Sequence, residues 1–281
     1  MSGRLAEVEA RIGTVEKLAA VIAAMRGIAA ARVREAQGQL AGIRTYAGTV
    51  GAAIARALAL LPQGAPQAAA NGAATRIAVL FAAEQGFAGG FSARVFDAAA
   101  PLLAAPHLLL LAGDRGLPVA AERGLAVDWS APMIAHPGQA GNLATRITEA
   151  IYARLAAGDA TAVTLVHSAP DGPTGAIVTR RLVPVDYARF PPPPHAVAPR
   201  ITLPPEDLLA RLAQEYVFAE IAEAVMLSFA AENEARMRAM IAAHDNVSET
   251  LTELVGQSRR LRQEKITDEI TELATARLPV R

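Results

Sequence analysis

The chain has 281 residues, 27 basic and 27 acidic side chains, no cysteine, and 52% hydrophobic residues. This length can bury a sizeable core in one or two domains. A zero net charge argues against a nucleic-acid binder that works by bulk electrostatics. The absence of cysteine excludes disulfides, thiolate metal sites and a cysteine nucleophile. Both lysines, Lys17 and Lys265, follow a glutamate, so the Gly-Lys-Ser/Thr signature of a P-loop NTPase is missing.

The N-terminal segment is free of proline from Leu5 to about Leu60 and has the apolar spacing of a helix. Its apolar positions recur every three or four residues, at Leu5, Val8, Ile12, Val15, Ala19, Ile22 and Met25, and again at Ala36, Leu40, Ile43, Ala47, Val50 and Ile54. We predict one helix over residues 1–61. At 1.5 Å per residue it would be roughly 80 Å long, too long to lie within a compact domain.

Five glycines interrupt this helix between residues 27 and 51, and two interpretations are open. They are Gly27, Gly38, Gly42, Gly48 and Gly51. Each costs about 1 kcal/mol relative to alanine. One interpretation is close packing against another helix of the chain. The other is a slim or slightly compliant surface against a partner protein.

The middle of the chain, residues 75–188, alternates strand and helix patterns. Strands are predicted at 77–81, 107–111, 125–129, 162–168 and 176–185, with helices from 92, at 119–123 and at 141–157. Such alternation is typical of a Rossmann-like α/β domain with a largely parallel sheet.

A proline-rich connector, residues 189–205, precedes a second proline-free helix, predicted over 206–281. This helix carries an apolar seam at Met237, Met240, His244, Val247, Leu251, Leu254, Ser258 and Leu261. The mean spacing of 3.5 residues is that of a left-handed coiled coil. After a slip, the seam is expected to resume at Ile270 and Leu273. The predicted fold is an antiparallel coiled coil of the N- and C-terminal helices with an inserted Rossmann-like α/β domain.

The residues that carry chemistry form no recognisable active site. The five histidines lack metal-ligand spacing, so no metal site is predicted. The Gly86–Gly90 turn follows a strand, but its glycine spacing is not that of a dinucleotide site. No cofactor is expected. Arginines cluster in both long helices, at Arg26, Arg32, Arg34, Arg259, Arg260 and Arg262. They are interpreted either as solvated helix faces or as a basic collar for an acidic partner.

The sequence resembles the gamma subunits of F-type ATP synthases, most specifically in its last helix. The segment from Ala230 to Glu272 follows the family pattern without a gap. Matching positions there include Glu232, Ala235-Arg236-Met237, Met240, Asp245-Asn246, Arg262-Gln263, Ile266-Thr267, Glu269 and Glu272. Ala24-Met25 and Ile28-Ala29-Ala30 match in the first helix. The run Phe87-Ala-Gly-Gly-Phe91 is similar to the family's glycine-rich turn.

The resemblance implies a non-catalytic rotor shaft. Its coiled coil would turn inside a hexamer of alpha and beta subunits, and its foot would join the epsilon subunit and the membrane ring of c subunits. It implies a peripheral location on the cytoplasmic face of the bacterial inner membrane, with no lipid insertion. Carried over residue by residue, the contacts with the hexamer fall on Met25, Arg26, Arg262, Gln263, Thr267 and Glu272. The sequence does not distinguish proton from sodium coupling.

The chain departs from the family pattern at Glu84-Gln85-Gly86, at Ser258-Arg259 and at Arg200–Pro204. The last of these affects the expected contacts with the c-ring. Two alternatives remain: a stand-alone coiled-coil scaffold or chaperone with an inserted domain, and an α/β enzyme with helical arms and a small-molecule site at the Gly86–Gly90 turn.

Overall fold

A computed structural model describes residues 2–61, 75–171, 175–191 and 200–276. Its helices are α1 (Ser2–Leu58), α2 (Phe91–Leu103), α3 (Gly116–Glu122), α4 (Ala140–Ala157) and α5 (Pro205–Ala276). Its strands are β1 (Arg76–Phe81), β2 (His107–Ala112), β3 (Trp129–Ala131), β4 (Ala162–Ala169) and β5 (Ala176–Val183). Short 3-10 turns lie at Pro137–Gln139 and Tyr187–Arg189. The predicted fold class is confirmed.

The chain divides into two compact units. The helical-pair unit is Met1–Ile28 with Met237–Arg281, and the sheet unit is Ala29–Arg236. The proposed domain bounds of 1–61, 75–188, 189–205 and 206–281 stay a prediction. The linker predicted after Leu61 and most of the proline-rich connector, residues 62–74 and 192–199, lie outside the described residues.

The sheet unit contains a five-stranded sheet of order β3-β2-β1-β4-β5. The first four strands in this order are parallel, and β5 runs antiparallel to β4. Side chains on both faces of β1 are buried, because alternate residues of a strand point to opposite faces and helices cover both. Ala78 and Leu80 pack with α2, whereas Ile77 and Val79 belong to the core that includes α4 and α5.

Strand β3 is shorter and later than predicted, at Trp129–Ala131 instead of 125–129. The side chain of Asp128 accepts a hydrogen bond from the Leu109 amide at 2.7 Å, and the Asp128 amide donates to the Leu109 carbonyl at 2.9 Å. Regular pairing with β2 therefore starts after Asp128. Leu125 and Val127 instead pack against the core that lies beneath α2.

In the helical-pair unit, α1 and α5 pack through the predicted seam. Val8, Leu254 and Leu261 form a buried cluster with Leu5, Ile12 and Val15 at its edge. The guanidinium of Arg262 donates to Glu9 at 2.8 Å, which fixes an antiparallel register. All the predicted seam positions from Met237 to Leu261 are buried or half-buried.

The prediction that the apolar seam resumes at Ile270 and Leu273 is wrong. These two side chains are 62% and 68% exposed. By the register of Glu9 with Arg262, the first residue of α1 lies level with about residue 269 of α5. The last turns of α5 therefore extend past the start of α1 and have no described helix to pack against.

Candidate partner interface

The glycine-rich turn after β1 is held by two buried side chains of α5. Glu232 accepts hydrogen bonds from the amides of Glu84 and Gln85, both at 3.1 Å. Arg236 donates to the carbonyls of Gln85 and Gly86, both at 3.2 Å, and forms an ion pair with Glu232. The exposed fractions of the Arg236 and Glu232 side chains are 5% and 3%. The backbone of the turn is thus fixed to the long helix through charge-assisted hydrogen bonds.

Glu84 extends this network to two further loops. Its carboxylate accepts from the Met133 amide at 2.7 Å and from the Asp114 amide at 3.2 Å. Three loops at one edge of the sheet are therefore joined to α5 through one connected set of hydrogen bonds. Phe87 follows in the left-handed region, with φ 62°, and is 67% exposed. A non-glycine residue with this conformation is uncommon and is retained where its surroundings determine it.

A second buried carboxylate, Glu220, joins α5 to β5. Its side chain is 5% exposed and pairs with Arg180, and the guanidinium of Arg189 lies 4.0 Å away. Burial, followed by the hydrogen bond to Glu220, raises the pKa of Tyr216. The neutral phenol of Tyr216 thus contributes to satisfying this carboxylate. The sequence gives no local signal for this site, since Arg180 lies 40 residues from Glu220.

His167 lies in the core beside β1. It is 3% exposed, its ring meets Phe81 edge-on at 6.3 Å, and its Nδ1 lies 3.1 Å from the Ser168 carbonyl. Burial lowers the pKa of His167, with the nearby positive charge of Arg180 adding to this effect. The neutral ring donates from Nδ1 to the carbonyl.

We expect His167 to make the stability of the fold depend on pH. Because its pKa is lower in the folded chain than its ordinary value of about 6.5, the unfolded chain binds more protons just below that pH. The stability that comes from the neutral form of His167 is thus fully present above about pH 6.5. As the pH drops below this value, the free energy of unfolding falls by at most about 1.4 kcal/mol per pH unit. Urea unfolding at pH 7.5 and 5.5 should show a larger loss for the natural chain than for His167→Gln. Equal losses would contradict this assignment.

Three of the proposed partner contacts lie together on exposed turns of α5. Arg262, Gln263 and Thr267 are all exposed, although Arg262 also pairs with Glu9. Gln263 and Thr267 line one shallow depression of about 360 Å³, together with Arg260, Glu264 and Asp268. Glu272 is exposed further along the helix.

The other two proposed contacts are distant from these within the helical-pair unit. Met25 is half-buried and Arg26 is exposed on α1. Arg26 lies 17 residues beyond Glu9, the residue that is level with Arg262. This separation is about 25 Å along the helix. Arg26 and Arg262 therefore do not contribute to a single basic collar.

The end of α5 exposes an apolar stripe. Ile266, Ile270 and Leu273 are 49%, 62% and 68% exposed and follow a spacing of four and three residues, so they lie on one side of the helix. Aligned apolar side chains of this kind are characteristic of protein interfaces. This stripe and the depression at Gln263 are in the same part of α5.

Comparison with known proteins identifies the family. A family model described as ATP synthase matches residues 4–277. The ATP synthase gamma chain of Frankia casuarinae is 28% identical over 287 residues, covering 97% of this chain and 96% of the relative. The gamma chain of Fuscovulum blasticum is also 28% identical, covering 96% of each chain. The chain belongs to the ATP synthase gamma family.

Solved structures share the fold of this gamma-family chain. A chain of the Euglena gracilis mitochondrial ATP synthase, from a structure of OSCP, F1 and c-ring in rotational state 3, superposes with a TM-score of 0.70 at 10% identity. The match covers 100% of this chain and 98% of that chain. A central stalk and c-ring structure from Tetrahymena thermophila gives 0.55 at 19% identity, covering 79% and 99%.

Family membership gives the buried network a context. Glu232 and Arg236 are among the positions that carried the resemblance, and both are used inside the protein to hold the turn.

Among the described residues, no helix combines the length and apolar character that a membrane span requires. Nor do the described histidines and carboxylates form a cluster that could hold a metal ion.

Proposed function

We propose that this chain is the central rotor shaft of an F-type ATP synthase. In this role it couples ion-driven rotation of the membrane c-ring to conformational change at the catalytic sites of an alpha/beta hexamer, and has no catalytic site of its own. The observation that carries the proposal is the match to gamma chains over nearly the whole length. The uncovered apolar stripe at Ile266, Ile270 and Leu273 supports it, because these side chains need a partner to remove them from water.

The partners follow from this role. They are the alpha and beta subunits around the coiled coil, and the epsilon subunit and c-ring at the foot. The chain would then act at the cytoplasmic face of the bacterial inner membrane, as a peripheral part of a complex that hydrolyses or makes ATP. The coupling ion, proton or sodium, is set by the c subunit and not by this chain.

The hexamer contacts are proposed at Met25, Arg26, Arg262, Gln263, Thr267 and Glu272. Arg262 and Gln263 occupy consecutive exposed positions next to the apolar stripe. A guanidinium and an amide there can donate hydrogen bonds to carbonyl or carboxylate oxygens of surrounding loops. As the shaft turns, such bonds break and form again, which gives the hexamer an orientation-dependent contact.

We expect the double variant Arg262→Ala with Gln263→Ala to weaken coupling without unfolding the chain. Both side chains are exposed, and an exposed ion pair such as Arg262 with Glu9 contributes only about 0.2–1 kcal/mol. ATP-driven ion pumping per ATP hydrolysed, measured in membrane vesicles, should fall severalfold.

The matched control is Arg211→Ala with Gln39→Ala, which removes an arginine and a glutamine from exposed positions outside the proposed contacts. It should leave the pumping ratio unchanged. If the Arg262/Gln263 variant assembles and pumps as well as the natural complex, the proposed contacts at these two positions are wrong.

A further inference from the structure

A groove between α4 and α5 in the sheet unit has the chemistry of a binding site for a positively charged side chain. It has a volume of about 520 Å³. One wall comes from α4 and the other from α5. The residues that line it are Thr145, Thr148, Glu149, Tyr152, Gln214, Glu215 and Phe218.

The charge of the groove is entirely negative. Glu149 and Glu215 are both exposed at its rim, and none of the described residues that line it is a lysine or arginine. Within the part of the chain that the structure describes, neither carboxylate forms an ion pair. Glu215 accepts a hydrogen bond from the Tyr46 hydroxyl at 2.6 Å, which holds it in place from the α1 side. Two carboxylates at one rim favour a cation between them.

The floor of the groove is aromatic and firmly supported. Tyr152 and Phe218 are half-buried and pack against the main core of the sheet unit. The carbon stem of an arginine or lysine covers such rings well, and its charge is attracted to their faces. A rigid floor also lowers the entropy lost on binding, because these rings are already ordered.

One polar atom in the groove lacks a partner. The Oγ1 of Thr148 is buried and makes no hydrogen bond within the described residues. The hydroxyl one turn earlier, at Thr145, donates to the Gly141 carbonyl at 3.0 Å. A buried hydroxyl without a hydrogen bond is unfavourable, and the Thr148 side chain would have to rotate on binding for a ligand donor in the groove to reach it.

We propose that this groove binds an arginine or lysine of another subunit of the complex, with the cation between Glu149 and Glu215 and its stem on Tyr152 and Phe218. The inference rests on the proposed function, since that function supplies the partner subunits. Charge complementarity identifies a basic segment of a protein as the occupant. The groove is distinct from the proposed hexamer contacts, which all belong to the helical-pair unit.

The test uses the full chain within the purified complex, with the photo-reactive amino acid p-benzoylphenylalanine at position 214. We expect irradiation to cross-link it to a segment of another subunit that contains arginine or lysine, identified by mass spectrometry. Adding Glu149→Gln and Glu215→Gln should lower the yield of that cross-link about tenfold, because the ion pairs are lost. Glutamine at 215 keeps an acceptor for Tyr46, so the fold is preserved.

The matched control carries Glu35→Gln and Glu122→Gln, two exposed glutamates of the sheet unit outside the groove. It should leave the yield unchanged. In an assembled complex, an unchanged yield in the groove variant overturns the inference. So does a cross-link only to a second copy of this chain, only to segments without a basic residue, or to none at all. A natural chain that fails to assemble with alpha and beta subunits would instead overturn the proposed function, and the inference with it.

Discussion

Replacing Arg236 by alanine should destabilise the sheet unit by about 3–5 kcal/mol. The change removes one member of a buried ion pair and leaves Glu232 charged in the interior, which is among the most costly single substitutions. The carbonyls of Gln85 and Gly86 lose their donors at the same time. Urea unfolding followed by the fluorescence of Trp129, the one tryptophan in the chain, would measure the loss.

Two further variants separate the ion pair from a general effect on α5. Arg211→Ala removes an exposed arginine from the same helix and should cost less than about 0.5 kcal/mol. Combining Glu232→Gln with Arg236→Met should recover part of the loss, since no buried charge then remains. An Arg236→Ala chain as stable as the Arg211→Ala chain would show that the network contributes little.

Gly113→Ala should destabilise the sheet unit by about 3 kcal/mol or more. Gly113 follows β2 with φ 106°, a conformation that residues with a side chain rarely adopt. A Cβ there would lie 2.3 Å from the Ala82 carbonyl oxygen, so the loops after β1 and β2 would have to separate. Trp129 reports on this change closely, because β3 pairs with β2.

Gly38→Ala is the matched control for this glycine. Gly38 lies within α1, and among the described residues a Cβ there would have no atom within 4 Å apart from its own neighbours in the helix. Alanine should therefore stabilise the helix by about 0.5–1 kcal/mol. If Gly113→Ala is tolerated as well as Gly38→Ala, the inference that the two loops leave no room for a side chain at residue 113 is wrong.

The helical seam could be predicted because its signal is local. Residues three and four apart, from Leu5 to Ile54 and from Met237 to Leu261, share a helix face whatever the rest of the chain does. The end of the pairing could not be predicted in this way. The point where the pairing ends depends on the register that Glu9 and Arg262 set. The apolar pattern of α5 continues to Leu273, which lies past the first residue of α1.

The glycines of α1 show a different limit. Close packing within the chain is wrong for Gly27, Gly38, Gly42 and Gly48, since a Cβ at each would meet no atom of the described residues within 4 Å. Only Gly51 fits that interpretation, because its Cβ would lie 3.1 Å from the ring of Phe190. Glycines along a helix indicate a surface for close contact, but they do not identify whether this chain or a partner protein makes the contact. A slim surface against a partner stays a prediction.

The turn at Gly86–Gly90 could be placed between a strand and a helix, but the residues that hold it could not. Glu232 is 148 residues from Glu84, and no periodicity connects them. The resemblance named Glu232 and Arg236 as family positions without giving a reason. Their burial and hydrogen bonds supply one, since they satisfy the backbone of the turn.

Rotation of the chain within its complex tests the account most directly. Because the chain has no cysteine, Glu122→Cys introduces one attachment site for a visible probe, on an exposed end of α3. The complex carrying the natural chain controls for labelling of other subunits. With the alpha and beta subunits immobilised, we predict that the probe turns stepwise in one direction when ATP is supplied and stops when it is withdrawn. A probe that stays still while the complex hydrolyses ATP, or a chain that purifies as a self-associated species without alpha and beta subunits, would contradict the account.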